Sequence, residues 1–151
     1  MEEVRQLKNA RELRSALELC RRVFDEFVAP DYSEEGHNTF HKVTEPEENI
    51  SRWQAGEYMF YGVFDGGIIA GTAASRKDGS HIMLLFVDKA YHRRGIARAL
   101  INALMENAPG GKLTVNASPY AEEAYKRMGF VSTGDVVTRD GMTFIPMEYV
   151  K

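Results

Sequence analysis

Near the middle of the chain the run Phe86-Val87-Asp88-Lys89-Ala90-Tyr91-His92-Arg93-Arg94-Gly95-Ile96-Ala97-Arg98 reads as the end of a strand, a loop and the start of a helix. The first N–H groups of a helix have no intrahelical acceptor and stand at the positive end of its dipole. Gly95 lets a ligand come close to that backbone, and the small Ala97 does not block the approach. The chemistry such a place suits is the binding of an anion, phosphate oxygens above all. Arg93, Arg94 and Arg98 add fixed positive charge there, although arginines at a helix start also fit an ordinary solvated surface.

One strand–helix unit later comes Asn116-Ala117-Ser118-Pro119-Tyr120-Ala121-Glu122-Glu123-Ala124-Tyr125-Lys126-Arg127-Met128-Gly129-Phe130. Together the two segments resemble the GCN5-related N-acetyltransferase (GNAT) superfamily. The family's pyrophosphate loop, Gln/Arg-x-x-Gly-x-Gly/Ala, is matched by His92-Arg93-Arg94-Gly95-Ile96-Ala97. Its later helix, aromatic-Tyr-x-x-x-Gly-Phe, is matched by Ala124-Tyr125-Lys126-Arg127-Met128-Gly129-Phe130. His92 stands where Gln or Arg is usual, and Ala124 replaces the common aromatic residue. The resemblance covers the element order of the whole chain and specific residues from about 81 to 130.

The resemblance implies that acetyl-CoA binds as co-substrate between two strands that splay apart, here Phe86-Val87 and Val115-Asn116. Backbone at Phe86 and Val87 would hold the pantetheine arm and the acetyl carbonyl, and His92, Arg93, Arg94, Gly95, Ile96, Ala97 and Arg98 the pyrophosphate. Asn116 would fill the open edge with its amide; it also reads as a turn residue before Ser118-Pro119. Tyr125 would lie beside the bound co-substrate as general acid for the departing thiolate, since a phenol of ordinary pKa about 10 keeps its proton at neutral pH. Its apolar helical neighbours Ala121, Ala124 and Met128 also suit a core tyrosine. For a general base the resemblance points to His81, fourteen positions before Gly95, where a neutral imidazole could take the amine's proton directly or through water. His81 equally suits an exposed place after the turn Asp78-Gly79-Ser80, and Glu57 is held in reserve. The implied reaction moves an acetyl group to a primary amine of a small-molecule or peptide acceptor. A non-catalytic acyl-CoA-binding or interaction module on the same scaffold is the other reading. A homodimer is implied by family analogy alone.

The elements that must position these residues can be read from periodicity and punctuation. Residues 2–7 predict a short strand with Val4 and Leu7 as its apolar members. Asn9 and Glu12 have the spacing of an N-cap and its reciprocal partner. Leu13, Leu17, Cys20, Phe24 and Phe27 then recur on one helix face that ends before Pro30. Cys20 on that face is expected to be a small packed hydrophobe and not a nucleophile, because apolar burial raises a thiol's pKa. Residues 31–56 suggest two short helices around Pro46. Tyr58–Phe64 and Ile68–Thr72 form a hairpin across Asp65-Gly66-Gly67. His81–Val87 lacks alternation and predicts a central strand covered on both faces. A helix over about 94–105 buries Ala97, Leu100, Ile101 and Leu104, and Leu113–Asn116 is a short strand. Ser118 caps a helix that begins with Pro119 and stops at Gly129. Val131–Thr138 and Met142–Val150 close the chain as a hairpin around Asp140-Gly141, with Pro146 weakening the second strand as a fully paired central element. The expectation is an α/β fold over residues 1–151 as one domain: a GNAT-like mixed, mostly antiparallel central sheet of six to seven strands, flanked by about four helices, with splayed central strands.

Composition sets the outer limits. The chain has 151 residues, 44% hydrophobic and 27% charged, with 19 Lys+Arg against 22 Asp+Glu for a net charge of −3. That is a globular composition, not a disordered or fibrous one. The longest stretch free of charged residues and histidine, Gly66–Ser75, is far shorter than the roughly 20 residues of a spanning helix. The start Met1–Arg5 lacks a signal-peptide pattern, so an intracellular, cytoplasmic protein without membrane partners is expected. The slightly acidic charge and the lack of a broad basic face argue against nucleic acid. One cysteine excludes an internal disulfide, and His37 with His41 lacks a third ligand, so no metal is expected. Between Asp25 and Glu57 nine acidic residues face Lys42 and Arg52, a local charge of −7 that leaves +4 elsewhere. Such a lining would favour a cationic amine if it faced the acceptor, and a solvated helix surface if it did not.

Overall fold

The computed structural model describes residues 2–151; Met1 and the side chain of Asp31 lie outside the described residues. In chain order the elements are β1 (Glu2–Gln6), α1 (Ala10–Val23), α2 (Glu34–Val43), α3 (Pro46–Gln54), β2 (Tyr58–Asp65), β3 (Ile68–Arg76), β4 (His81–Val87), α4 (Ile96–Met105), β5 (Lys112–Ala117), α5 (Glu122–Arg127), β6 (Val131–Ser132), β7 (Val137–Arg139) and β8 (Met142–Val150). The eight strands form one sheet in the order β1-β2-β3-β4-β5-β8-β6, with β7 also on β8. Every pairing is antiparallel except β4 with β5.

Side chains from both faces of the sheet build two cores. On one face Leu100, Ile101 and Leu104 of α4 and Tyr125 of α5 pack with Val63, Ile82, Leu113 and Val115. On the other, Leu13, Leu17 and Cys20 of α1, Phe40 of α2 and Ile50 of α3 pack with Phe60, Ala74 and Leu84. β4 is therefore covered on both sides, as its unbroken apolar run predicts.

Helix starts follow the side-chain chemistry. Asn9 Oδ1 accepts the N–H of Glu12 at 2.9 Å, while the Glu12 carboxylate takes the N–H of Lys8 at 2.7 Å and two N–H groups of Arg5 at 3.0 and 2.7 Å. Pro46 opens α3 behind a Glu45 cap. The first helix ends earlier than its apolar spacing suggests. After Val23 the backbone widens into a π turn (Phe24–Val28) and then a 3-10 turn (Ala29–Asp31).

Three expectations change. α5 begins at Glu122 and not at Pro119, because residues 119–121 form a turn that Ser118 still caps by accepting the Ala121 N–H at 3.2 Å. Ala97 is only half-buried, in the first turn of α4. The strand expected over 131–138 is broken into β6 and β7, which raises the strand number to eight. Its partner β8 does run inside the sheet. Pro146 is tolerated there because its carbonyl, and with it the side that lacks an N–H, faces the point where β6 ends, accepting Thr133 N–H at 2.9 Å.

Candidate active site

β4 and β5 stay together for only two residue pairs, His81 with Thr114 and Ile82 with Val115, and then part. The divergence begins at a bulge. Against β3, Ser75 pairs with Ile82 and Ala74 with Leu84, which leaves Met83 as an extra residue. Ile82 belongs to the α4 core, whereas Met83 and Leu84 both pack on the α1 side. An extra residue that puts consecutive side chains on one face bends the strand, and here the bend carries β4 away from β5.

The ladders on either side identify which main-chain groups face the gap. Asp88 N–H donates to Ala70 O at 2.8 Å, so the groups of Asp88 and, by alternation, Phe86 point to β3. Those of Leu85 and Val87 point to the open side. Phe86, expected to supply backbone to the gap, turns its main chain inward, and its ring meets that of Phe40 with centroids 5.6 Å apart. On the facing strand, Thr114 N–H donates to Ser80 O at 2.9 Å, and the carbonyl of Pro146, opposite Asn116, is turned away towards Thr133. The main-chain groups of Thr114 and Asn116 therefore face β4, and at Asn116 β4 has already left. Asn116 is exposed, on the same sheet face as Thr114.

The loop after β4 is held at several points. Asp88 Oδ1 accepts the Ala90 N–H at 2.9 Å and its Oδ2 pairs with Arg22 of α1 at 2.8 Å. Lys89 pairs with Glu26 at 3.0 Å, and the Tyr91 hydroxyl donates to Asp65 at 2.8 Å. His92 Nε2 lies 3.0 Å from Val87 O; a carbonyl only accepts, so this ring nitrogen carries the hydrogen. Phe27, in the π turn that follows α1, packs against the His92 ring at 5.7 Å and the Tyr120 ring at 5.4 Å. Arg93 and Gly95 take left-handed conformations, φ 66° and 78°, and turn the chain into α4. A methyl group at Gly95 would meet nothing within 4 Å, so the space in front of it is open. The N–H groups of residues 93–98 have no acceptor among the described residues. Arg93 is exposed. Arg94 approaches Glu2 at 3.5 Å and lies over the Tyr91 ring at 5.0 Å. Arg98 donates to Arg127 O at 3.2 Å and ties α5 to α4.

Tyr125 lies on α5, 5% exposed, with its ring edge-on to Phe130 at 5.1 Å. Its hydroxyl has no hydrogen-bond partner among the described residues, yet no fully buried side-chain oxygen is unpaired. The hydroxyl therefore keeps a small accessible surface. Burial pushes its phenol well above the ordinary value of 10.

His81 stands where β4 and β5 still touch, at the other end of the strand from the loop. Its Nδ1 lies 2.7 Å from Thr114 Oγ1, whose hydroxyl also reaches Ser80 O at 3.2 Å. The carbonyl takes the hydroxyl hydrogen, so Nδ1 donates to the oxygen and Nε2 is left with a free lone pair. Burial, and next the charge of Arg76, push the imidazole below its ordinary 6.5, against a smaller opposite pull from Asp78. Glu57 lines a surface groove together with His81, but its carboxylate is paired with Arg52 at 3.1 Å. Cys20 is fully buried and its thiol is pushed up by that burial, as a packing role requires. His37 contacts Ala29 O at 3.2 Å and His41 approaches Asp25 at 3.9 Å.

Sequence reasoning missed Leu85, Thr114 and the Arg22–Asp88 clasp. Only the alternation of the β4–β3 ladder picks out Leu85, and Thr114 emerges only once two strands 33 positions apart are paired. No helix of the described residues is long and apolar enough to cross a membrane.

Residues 28–151 match the sequence profile of the acetyltransferase (GNAT) domain family. No protein of curated function matches. Among solved structures, the fold is similar to a GCN5-related N-acetyltransferase from Rhodopseudomonas palustris, with a TM-score of 0.82 and 22% identity over 100% of this chain and 96% of that one. It is also similar to the PaiA N-acetyltransferase of Thermoplasma acidophilum in complex with coenzyme A, with a TM-score of 0.74 and 20% identity over 100% and 99%. The apo form of YjaB from Escherichia coli matches with a TM-score of 0.72 and 20% identity over 99% and 98%.

Proposed function

The chain belongs to the GNAT acetyltransferase family, and on that premise we propose that it transfers an acetyl group from acetyl-CoA to a primary amine by direct attack. The observation that carries the proposal is the gap itself: two strands of one sheet that part and leave Leu85, Val87 and Asn116 with main-chain groups aimed between them.

The residues present fit acetyl-CoA. The unpaired N–H groups of residues 93–98, with the open space before Gly95, suit its pyrophosphate, and Ile96 and Ala97 leave the approach clear. Arg93 and Arg94 supply positive charge at the loop, and Arg98 a further charge beside α5. His92 keeps the Val87 carbonyl oriented. The edges of Leu85 and Val87 suit the amide groups of the pantetheine arm, and Asn116 closes the gap opposite them. Bound there, acetyl-CoA supplies an acetyl group activated as a thioester.

Each remaining task falls to a group already in the right chemical state. An N–H of the open β4 edge stabilises the negative charge that develops on the acetyl oxygen. His81 Nε2, unprotonated at neutral pH, accepts the proton of the incoming amine. His81 is four positions from Leu85, about 13 Å along the strand, so the proton reaches it through water. Tyr125 keeps its proton up to high pH and donates it to the departing sulfur. The test is thiol release from acetyl-CoA across a panel of primary amines, with calorimetry of acetyl-CoA alone. Amine-dependent release supports the reading; binding with no release for any amine refutes it.

A further inference from the structure

Beside His81 the surface opens into a groove of about 900 Å³. Its apolar wall is Val43, Tyr58 and Met83, and its polar wall is formed by Arg52 of α3 and by charged side chains next to the ends of β2 and β3. Most of those charges are already matched. Arg52 holds Glu48 at 2.8 Å and Glu57 at 3.1 Å. The Asp78 carboxylate accepts the Ser80 N–H at 2.9 Å and the Ser80 hydroxyl at 2.7 Å. Neither Arg76 nor Lys77 has a side-chain hydrogen bond or ion pair among the described residues, and the charge of Arg76 reaches Asp78 only across space. The acidic excess between Asp25 and Glu57 lies largely elsewhere, with Glu26 on Lys89, Glu47 on Arg14 and Glu45 capping α3.

We propose that this groove is the acceptor site and that it takes a primary amine carrying a carboxylate, which Arg76 grips while His81 faces the path of the amine. The proposal rests on the acetyl-transfer reading. Arg76 follows Ser75, the partner of Ile82, so it stands level with the start of β4, beside His81. The amine must reach the acetyl group near Leu85, about 13 Å up the strand. An acceptor that reaches both places therefore carries its carboxylate away from its amine, with a spacing on the order of 7 Å as in an extended dipeptide. An arginine is suited to the task because its fork matches a carboxylate with two parallel hydrogen bonds. Lys77 adds a second charge, and the apolar wall accommodates a side chain or a methylene stem.

The test compares matched acceptors in the thiol-release assay: 6-aminohexanoate against hexylamine, and glycylleucine against glycylleucine amide. The carboxylate-bearing member of each pair is expected to have the higher kcat/KM by about ten- to a hundredfold, the loss of one hydrogen-bonded charge. In Arg76→Ala that ratio collapses towards one, and in Arg76→Lys it is partly kept; an unchanged thermal shift with acetyl-CoA shows that both variants are folded. Equal or reversed preference in the unmodified protein, or a preference that survives Arg76→Ala, overturns the proposal and leaves the acetyl-transfer reading standing. If no amine releases thiol, that reading fails separately, and calorimetry with 6-aminohexanoate then decides the groove. Heat that Arg76→Ala abolishes supports the site, and heat that is absent or unaffected overturns it.

Discussion

Replacing Tyr125 with phenylalanine removes one oxygen atom from a side chain that is 5% exposed. No described residue hydrogen-bonds to that oxygen, so the change orphans no partner. The packing against Phe130 at 5.1 Å involves the ring that both residues share. Stability should therefore stay within about 1 kcal/mol of the parent, and acetyl-CoA affinity should be unchanged. Turnover should not. A positioned general acid contributes about a hundred- to ten-thousandfold, or about 2.7–5.4 kcal/mol of barrier. The assay is steady-state thiol release, with calorimetric binding of acetyl-CoA and chemical denaturation on the same preparations. Because burial raises the phenol above its ordinary 10, the parent's kcat should show no alkaline decline below about pH 10. A Tyr125→Phe enzyme that loses less than about tenfold in kcat, or one that loses acetyl-CoA binding in step with turnover, would refute the assignment of Tyr125 as the acid.

Three further expectations probe the other parts. His81 is held below 6.5, so its unprotonated form dominates at neutral pH and kcat/KM should rise with pH through a midpoint below 6.5. Thr114→Val removes the acceptor of its Nδ1–H, and should lower kcat/KM about tenfold and displace that acid limb. Gly95→Ala places a side chain at φ 78°, which costs about 1–2 kcal/mol of stability and raises the acetyl-CoA Kd, both readable by calorimetry. Glu12→Gln tests the fold apart from the site. Hydrogen bonds from Arg5 and the Lys8 N–H hold the Glu12 carboxyl at about 2, down from 4.5. Its stabilising effect is thus fully present above 4.5 and is lost as pH falls towards 2. With the side chains of Arg5 and Glu12 22% and 18% exposed, solvent screening reduces it to about 1–2 kcal/mol at neutral pH. The stability difference between parent and Glu12→Gln, from urea unfolding, should hold from pH 7 down to about 4.5 and shrink from there towards pH 2.

What could be read from the sequence was whatever local chemistry decides. Asn9, Ser33 and Glu45 cap their helices with their own side chains, and Gly66 with Gly67 supplies the positive φ angles of the β2–β3 turn. The loop at Gly95 is of the same kind, since a left-handed glycine before an apolar helix is a local signal. The errors arise where distant pairing decides. Whether Leu85 or Phe86 presents its backbone to the gap depends on parity, and Asp88 sets that parity by bonding Ala70 eighteen positions away. The apolar stripe of the first helix continues to Phe27 in spacing while the backbone has already widened at Phe24. That widening leaves Phe27 against His92 and Tyr120, two residues nothing in its own neighbourhood announces. The charge count between Asp25 and Glu57 cannot choose between an acceptor lining and a solvated surface for a related reason. Net charge reports neither which carboxylates are paired nor which way they face.

The parting of β4 and β5 runs against the ordinary preference of a sheet, which is to satisfy every inner edge. An inner-edge N–H or C=O without a partner in the sheet must find one in water or a ligand, and Leu85, Val87 and Asn116, none of them buried, present such groups along this gap. Two features of the chain keep it open. The extra residue at Met83 bends β4 towards the α1 core, where Met83 and Leu84 are both packed, so straightening the strand would expose apolar surface. On the other side β5 is bound to β8 along six residue pairs and cannot follow. The unpaired groups are thus fixed in place by packing on both flanks, and water or a ligand must satisfy them. A ligand with amide groups of its own gains these hydrogen bonds, and at Val87 it shares a carbonyl that already accepts from His92. Tyr125 packs in the core on one face of that sheet, so on the proposed reading affinity for the donor and alignment of Tyr125 have one origin in the fold.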